Sequence, residues 1–421
     1  MYKKTVLENG VRIITEEVSH VRSVSFGIWV NSGSRDELAE ELGISHFIEH
    51  MIFKGTETRS TLQIAKEIDA FGGMANAFTN KENTCFHTKV IDKHLPRAVD
   101  LLMDIFLRST YDSGELDRER QVILQEISMV EDTPDELIHI LFARHFWEGH
   151  PLSEPIAGVN NSVMLIDRDR ILRYLNHAYS PGNIVAAAVG RVNHEDLLHL
   201  VQSQFATLPW GEKPKDRVKP TPRQHLKVHT KDMEQAHIFL GSPGPSYLDE
   251  DRYKFYLLNT ILGGNMSSRL FQTIREREGL AYSIYSFIAA YIDTGAIKIY
   301  AGVNPDMVAK TVSLVLKEVK RLMENSIVPE ELEEAKDHIK AGLLLSAENM
   351  DARMNRLAKN EICFGREFTY DETIERIDRV TMDDLSELSA RALDPHGFSM
   401  TVLGPIDEAS LPNRIEDFLG S

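Results

Sequence analysis

The first seventeen residues, "MYKKTVLENGVRIITEE", set apolar and polar side chains in two short strand-like runs joined at Glu8-Asn9-Gly10. Asn-Gly accepts the positive φ angles of a tight hairpin turn, so the chain is expected to open on a β-hairpin. Further along, the apolar runs "CFHTKVI" (Cys85–Ile91) and "GAIKIYAGV" (Gly295–Val303) read as strands. A helical pattern follows each of them. "AVDLLMDIFLRSTYDSGELDRERQVILQEI" from Ala98 and "TVSLVLKEVKRLMENSIVPEELEEAKDHIKAGL" from Thr311 both predict a helix, a turn and a second helix that starts acidic. Ala98 to Thr311 is 213 residues, about half of the 421. Two copies are too few for a solenoid. The pattern predicts an α+β fold of two duplicated domains, each a mostly antiparallel sheet with helices packed on one face. Between them, Leu208–Thr230 carries four prolines, many charges and little periodicity. The expected division is therefore 1–207, a linker 208–230, and 231–421.

Within the first half, "GISHFIEHMIFKG" (Gly43–Gly55) predicts a helix whose stripe pairs Phe47 with Met51 and Ile48 with Ile52. Lys54 and Gly55 supply its stop. His46 and His50 are also four apart and share a second face with Glu49. That spacing suits two nitrogens converging on a tetrahedral cation, or three polar residues on the wet side of an ordinary helix. The duplication offers a control. The matching stretch "FYLLNTILGG" (Phe255–Gly264) keeps the apolar pattern but has Tyr256, Asn259 and Thr260 at the polar positions. The helix does not need His-x-x-Glu-His in order to fold.

A catalytic zinc takes a third protein ligand and keeps one open position. The candidate stretch is Asp112–Pro134, with a capping-box-like start at Asp112 and Glu115 and a stripe of Leu116, Ile123, Ile127 and Val130. Glu119 and Glu126 are seven apart, hence on one face within ~20° and about 10 Å apart along the axis. At that separation one can ligate, while the other stands behind the site or faces a substrate. Periodicity by itself reads first as a solvated acidic row.

Composition narrows the classes. With 47 Lys+Arg against 64 Asp+Glu the net charge is −17, and no basic block stands out, so nucleic acid is not an expected partner. The N-terminus lacks an apolar signal-peptide core, and no run of about 18 apolar residues predicts a membrane span. Cys85 and Cys363 are the only cysteines and lie in different halves, which fits a reducing cytoplasm.

Taken together, these features resemble the pitrilysin and insulinase-type peptidases with their inverted zinc motif, most nearly the bacterial relatives of the mitochondrial processing peptidase. The residues that carry the resemblance are "GSRDE", "HFIEH", "FGGMANAFTNKENT", Glu126 at 76 positions after His50, and "REREGLAYSI" in the second half. By this resemblance His46, His50 and Glu126 bind Zn2+, with Glu119 as a supporting carboxylate. Glu49 acts as general base for a water activated by the metal. Asn76, Ala77 and Phe78 belong to an edge strand that adds an extended peptide substrate as a further strand, where the residue types alone read as an ordinary strand. Arg275 and Tyr282 hold substrate carbonyls and the developing oxyanion. Without the resemblance they read as a surface arginine and a half-buried tyrosine. The expected function is a cytoplasmic zinc metalloendopeptidase acting on unstructured peptides or N-terminal extensions. It is expected to form a homodimer with composite sites, because single-chain family members resemble four such domains. The competing readings are a non-catalytic scaffold subunit, whose relatives typically lack the motif, and a structural metal site, which would need a fourth ligand.

Overall fold

The computed structural model describes residues 1–208, 216–324 and 327–419. The N-terminal hairpin forms as expected: β1 (Tyr2–Val6) pairs antiparallel with β2 (Arg12–Glu17), past Gly10 at φ +97°. With β3 (Ser23–Val30), β4 (Met74–Thr79), β5 (Thr84–Ile91) and β6 (Ile184–Gly190) they make a six-stranded sheet in the order β1-β2-β6-β3-β5-β4. Only β2 and β6 pair in parallel. A second sheet holds β7 (Leu226–Thr230), β8 (Ala236–Pro243), β9 (Ala281–Ala290), β10 (Gly295–Val303) and β11 (Ser399–Gly404). Its order is β7-β11-β8-β10-β9, again with one parallel pair, β7 and β11. Without β1, the two sheets have one order and place the parallel pair identically. Ser23 to Ala236 is 213 residues, and so is Leu95 to Val308 at the starts of the matching helices Leu95–Arg108 and Val308–Met323. The duplication is one of topology as well as pattern.

Every residue of β6, β10 and β11 is buried. Side chains alternate between the faces of a sheet, so complete burial demands cover on both. On one face of the first sheet Val24, Phe26, Ile28 and Ala186 share a core with Leu102 and Ile105 of Leu95–Arg108 and with Leu197 and Val201 of His194–Phe205. The opposite face presents Ile14, Trp29, Cys85, Val185 and Val189 to Met350, Met354, Leu357 and Ala358 of the helix Met350–Phe364. That helix is also tied down by its buried Glu361, whose carboxylate meets Lys4 at 2.7 Å and Arg12 at 3.5 Å. In the second sheet Ile238, Leu240, Ile299 and Val402 pack with Val312, Leu316 and Val319 of Val308–Met323. Its other face packs Phe239, Ala296, Tyr300 and Leu403 against Ile138, Leu141, Phe142 and Phe146 of the helix Pro134–Phe146.

The expected helical layer is thus present on one face of each sheet, and the second face carries a helix from the opposite half of the chain. One compact unit comprises Met1–Met129, Glu154–Val218 and Leu345–Glu367; the other comprises Val130–Ser153, Lys219–Leu344 and Phe368–Ser421. Boundaries at 207 and 231 follow the duplication, whereas the packing follows this exchange. Of the expected linker 208–230, residues 209–215 lie outside the described residues. Arg217 is held by both Asp36 oxygens at 2.8 Å, and Leu226–Thr230 is not linker but the edge strand β7. Its charges conceal it: only Leu226 and Val228 join the core, while Lys227 is exposed, as an edge strand permits. Cys85 and Cys363 are not joined in a disulfide. Among the described residues no helix is long and apolar enough to cross a membrane.

The helix Pro134–Phe146 lays histidine as well as apolar side chains on the second sheet. The His139 ring meets Phe239 at 4.7 Å and Phe287 at 5.6 Å. Burial, reinforced by Lys298 and opposed by Asp135, lowers His139 to about 4. Burial also lowers His225, whose ring lies 5.4 Å from that of His145, to about 4. An unfolded histidine titrates near 6.5, so between about 6.5 and 4 the unfolded chain binds more protons than the folded one. The contribution of these groups to stability is therefore complete above about 6.5 and is lost as pH falls towards 4. His139→Phe should flatten part of this loss in thermal unfolding midpoints measured across that window. An unaltered pH profile in the variant would remove His139 from the account.

Candidate metal centre

The motif helix Ile44–Met51 is entered through Gly43, whose φ is +90° and where a Cβ would come within 2.6 Å of the Ala157 carbonyl oxygen. Only glycine fits there. Glu37 caps the helix: its carboxylate accepts hydrogen bonds from Gly43 N at 2.7 Å and Ser45 N at 2.9 Å. Burial raises Glu37 to about 7 against the pull of these bonds. Phe47, Ile48, Met51 and Ile52 are buried as their spacing predicts, which turns His46, Glu49 and His50 to another face. The chain turns away after the helix, with Gly55 at φ +116°.

The helix Ser113–Asp132 supplies the carboxylates. Asp112 Oδ1 accepts from Gly114 N and Glu115 N, forming half of the expected capping box, while Glu115 pairs with Arg118 instead. Leu116 and Ile123 are buried and Ile127 packs against their core; Glu119 is buried too, whereas the Glu126 side chain is 37% exposed, so only the far end of this acidic row meets solvent.

Among the described residues, His46, His50 and Glu126 form the one group of three whose ligand atoms could hold a metal, all within 4.8 Å of one another. His46 Nε2 lies 3.8 Å from Glu126 Oε1, and His50 Nε2 lies 3.5 Å from Glu126 Oε2. Ligands bound at about 2.0–2.2 Å around a tetrahedral zinc stand roughly 3.3–3.6 Å apart, so the donors already sit close to the separation required. Burial, with the neighbouring His50, lowers His46 to about 4, which leaves its imidazole neutral and its lone pair free at neutral pH. Burial also acts to lower His50, but hydrogen bonds to Glu126 and Glu119 outweigh it and raise the ring above its ordinary value. The hydrogen bond from His50 holds Glu126 below the usual carboxylate range. Two imidazoles and one carboxylate fit zinc by donor type as well as by spacing. The rings differ at their far nitrogens. His50 Nδ1 faces Glu119 Oε2 at 3.2 Å, whereas His46 Nδ1 is buried without a hydrogen-bond partner.

Glu49 stands beside this group without belonging to it. Burial raises its pKa, opposed first by a hydrogen bond with Thr79. Thr79 ends β4, the strand of Asn76, Ala77 and Phe78, which lies at the edge of the first sheet and packs beside the motif helix. Phe78 is anchored edge-on against Trp29 at 5.3 Å, and the Ala77 N–H is taken by the Asn76 side-chain oxygen at 2.9 Å. His46, Glu49, His50, Glu119, Glu126 and β4 are thus gathered in one unit. Arg275 and Tyr282 are gathered in the other, where the guanidinium lies 4.8 Å from the Tyr282 ring and 4.7 Å from that of Phe271. Tyr282 is the second residue of β9, the edge of the second sheet, and is 82% exposed rather than half-buried. Sequence reading missed Glu37, Thr79 and Lys54, the last of which lies 2.5 Å from Glu119. Their partners are distant along the chain or lie across a turn, so no periodic signal marks them.

Comparison with known proteins gives the family. Residues 12–160 match the family model described as Insulinase (Peptidase family M16), and residues 165–339 match the Peptidase M16 inactive domain. The uncharacterized zinc protease YmxG of Bacillus subtilis is 37% identical over 96% of this chain and 98% of its own length. An uncharacterized zinc protease of Streptomyces coelicolor is 38% identical over 99% of this chain and 92% of its own. Among solved structures, a protease from Helicobacter pylori superposes with a TM-score of 0.89 at 21% identity, covering 96% of this chain and 99% of that one. A peptidase M16 inactive domain from Pseudomonas fluorescens gives 0.89 at 20% identity, over 96% and 98%. The two structures speak for the fold. The sequence relatives span nearly the whole chain at more than a third identity, and with them the chain belongs to the insulinase family of peptidases, M16.

Proposed function

We propose that this protein is a cytoplasmic zinc metalloendopeptidase that cuts unstructured peptides or N-terminal extensions. The observation that carries the reading is the convergence of His46, His50 and Glu126 beside a half-buried glutamate that is not one of the three. These three residues would hold the zinc, and the relatives named zinc proteases support that choice of metal. When bound, zinc supplies a Lewis acid that polarises the peptide carbonyl and acidifies water at the site.

The remaining steps belong to the chain. Glu49 accepts the proton of the attacking water and hands it to the leaving amine; its upward shift brings it nearer the working pH, where one group can do both. The edge strand β4 receives the substrate as an added strand through main-chain hydrogen bonds, which favours extended peptides over particular side chains. An incoming strand has to displace the Asn76 oxygen from the Ala77 N–H. Glu119 keeps its oxygen against His50 Nδ1 and so orients the ring. The reading extends to a homodimer in which Arg275 and Tyr282 of one protomer serve the metal centre of its partner. The exposure of Tyr282, which stacks with the Arg275 guanidinium beside it, supports their availability to a substrate.

Glu49→Gln should lower peptide hydrolysis by on the order of 10²-fold or more while retaining zinc, because the amide cannot carry the proton. His46→Ala, His50→Ala and Glu126→Ala should lose zinc and activity together. Metal analysis that finds Glu49→Gln empty would make Glu49 a ligand, and zinc-loaded wild-type protein inert against a broad peptide library would favour a scaffold. The composite site is tested by mixing. Glu49→Gln and Arg275→Ala should each be nearly inactive, and co-refolded mixtures should recover activity from mixed dimers with one intact site. Mixed dimers that form and remain inactive would rule out the arrangement across subunits.

A further inference from the structure

The metal centre has a neighbour that the reaction does not use. The Lys54 ammonium lies 2.5 Å from Glu119 Oε1, and the other oxygen of the same carboxylate, Oε2, lies 3.2 Å from His50 Nδ1. The far side of that ring, Nε2, faces Glu126. Polar contacts therefore run from the turn after the motif helix, through the long helix, and back onto the motif helix. The Glu119 side chain is only 10% exposed and that of Lys54 28%, so solvent screens this pair less than a surface ion pair. His46 has no such support behind it.

We propose that Lys54 is a positioning residue for the metal centre. It clamps one oxygen of Glu119 so that the other accepts the His50 Nδ1 proton, which fixes the tautomer whose Nε2 lone pair points at the metal. A carboxylate held at one oxygen has its second oxygen aimed; released, it can turn about its side-chain torsions and leave the ring free to swing. The inference rests on the metal reading proposed above. Two effects of Lys54 on zinc oppose each other in sign, which makes the idea testable. As a bare positive charge near a cation, the ammonium weakens binding, so its removal alone would tighten zinc. As the clamp of a supporting carboxylate it strengthens binding, and changes to such partners typically weaken metal affinity about 10–100-fold.

The test measures zinc dissociation constants of the full chain by competition with a chromophoric chelator, which needs no catalytic turnover. Lys54→Met should bind zinc about tenfold more weakly, Lys54→Arg should restore binding close to wild type, and Lys54→Gln should fall between. In a Glu119→Gln background Lys54→Met should cause no further weakening, because the clamp then has no carboxylate to hold and only the repulsion of the bare charge is relieved. Nitrogen NMR of the His50 ring should show a single tautomer in wild type and a mixture in Lys54→Met. If Lys54→Met does not fold, Lys54→Gln decides by the same measurements. A neutral variant that binds zinc as tightly as wild type, or more tightly, overturns the role of Lys54 and leaves the metal reading intact. Additive losses with Glu119→Gln overturn it likewise. Wild-type protein that takes up no zinc overturns the metal reading and this role together.

Discussion

A strand that is apolar on both sides cannot lie against water on either, and the central strands of both sheets are of this kind. Everything else in the architecture answers that demand. The second layer comes from Pro134–Phe146 and Met350–Phe364, and each follows a long helix within which the chain passes from one compact unit to the other. The first of these, Ser113–Asp132, has 20 residues and spans about 30 Å. It also carries Glu119 and Glu126. The helix in which the chain passes between the units is thus also the one that presents the carboxylates to the motif helix.

The two halves share this plan but divide the chemistry. Where the first half has His46, Glu49 and His50, the second has Tyr256, Asn259 and Thr260, and its helix Arg252–Asn259 widens into a π-helical turn at Thr260–Gly264. The second half folds without the motif. In the first half, burying His46 with an unpartnered Nδ1 works against stability, since a desolvated polar atom without a hydrogen bond costs about 1–3 kcal/mol. A fold that does not need these residues and is burdened by one of them keeps them for something other than packing.

Much of this is legible in the sequence. The N-terminal hairpin, β5, β10 and the paired helices follow from alternation and helical spacing, and the 213-residue offset between halves recurs in the observed elements. The pairing of Glu126 with the motif histidines follows from spacing together with resemblance, since periodicity alone favoured a solvated row. What escaped has physical reasons. β7 is an edge strand with only one apolar face, so its charges resemble linker. The exchanged helices have apolar faces that look like those of any other helix, because a pattern shows that a face is buried and not what buries it. Glu37 acts through two backbone N–H groups, which carry no side-chain signature.

The hydrogen bond from Ala77 N to the Asn76 side chain has a consequence for the protein's own solubility. An edge strand open to peptide, as proposed for β4, is open to any other extended chain, including partly folded copies of the protein, and open edges are where sheets polymerise. Asn76 occupies one of the donors that such pairing would use. A competing strand must therefore replace a bond worth about 1 kcal/mol before it gains any at that position. That threshold is too low to turn away a peptide pairing along several residues, yet it is enough to discourage brief, one-bond encounters. On the proposed reading, the side chain that a substrate would push aside can also keep the resting edge from becoming a template for aggregation.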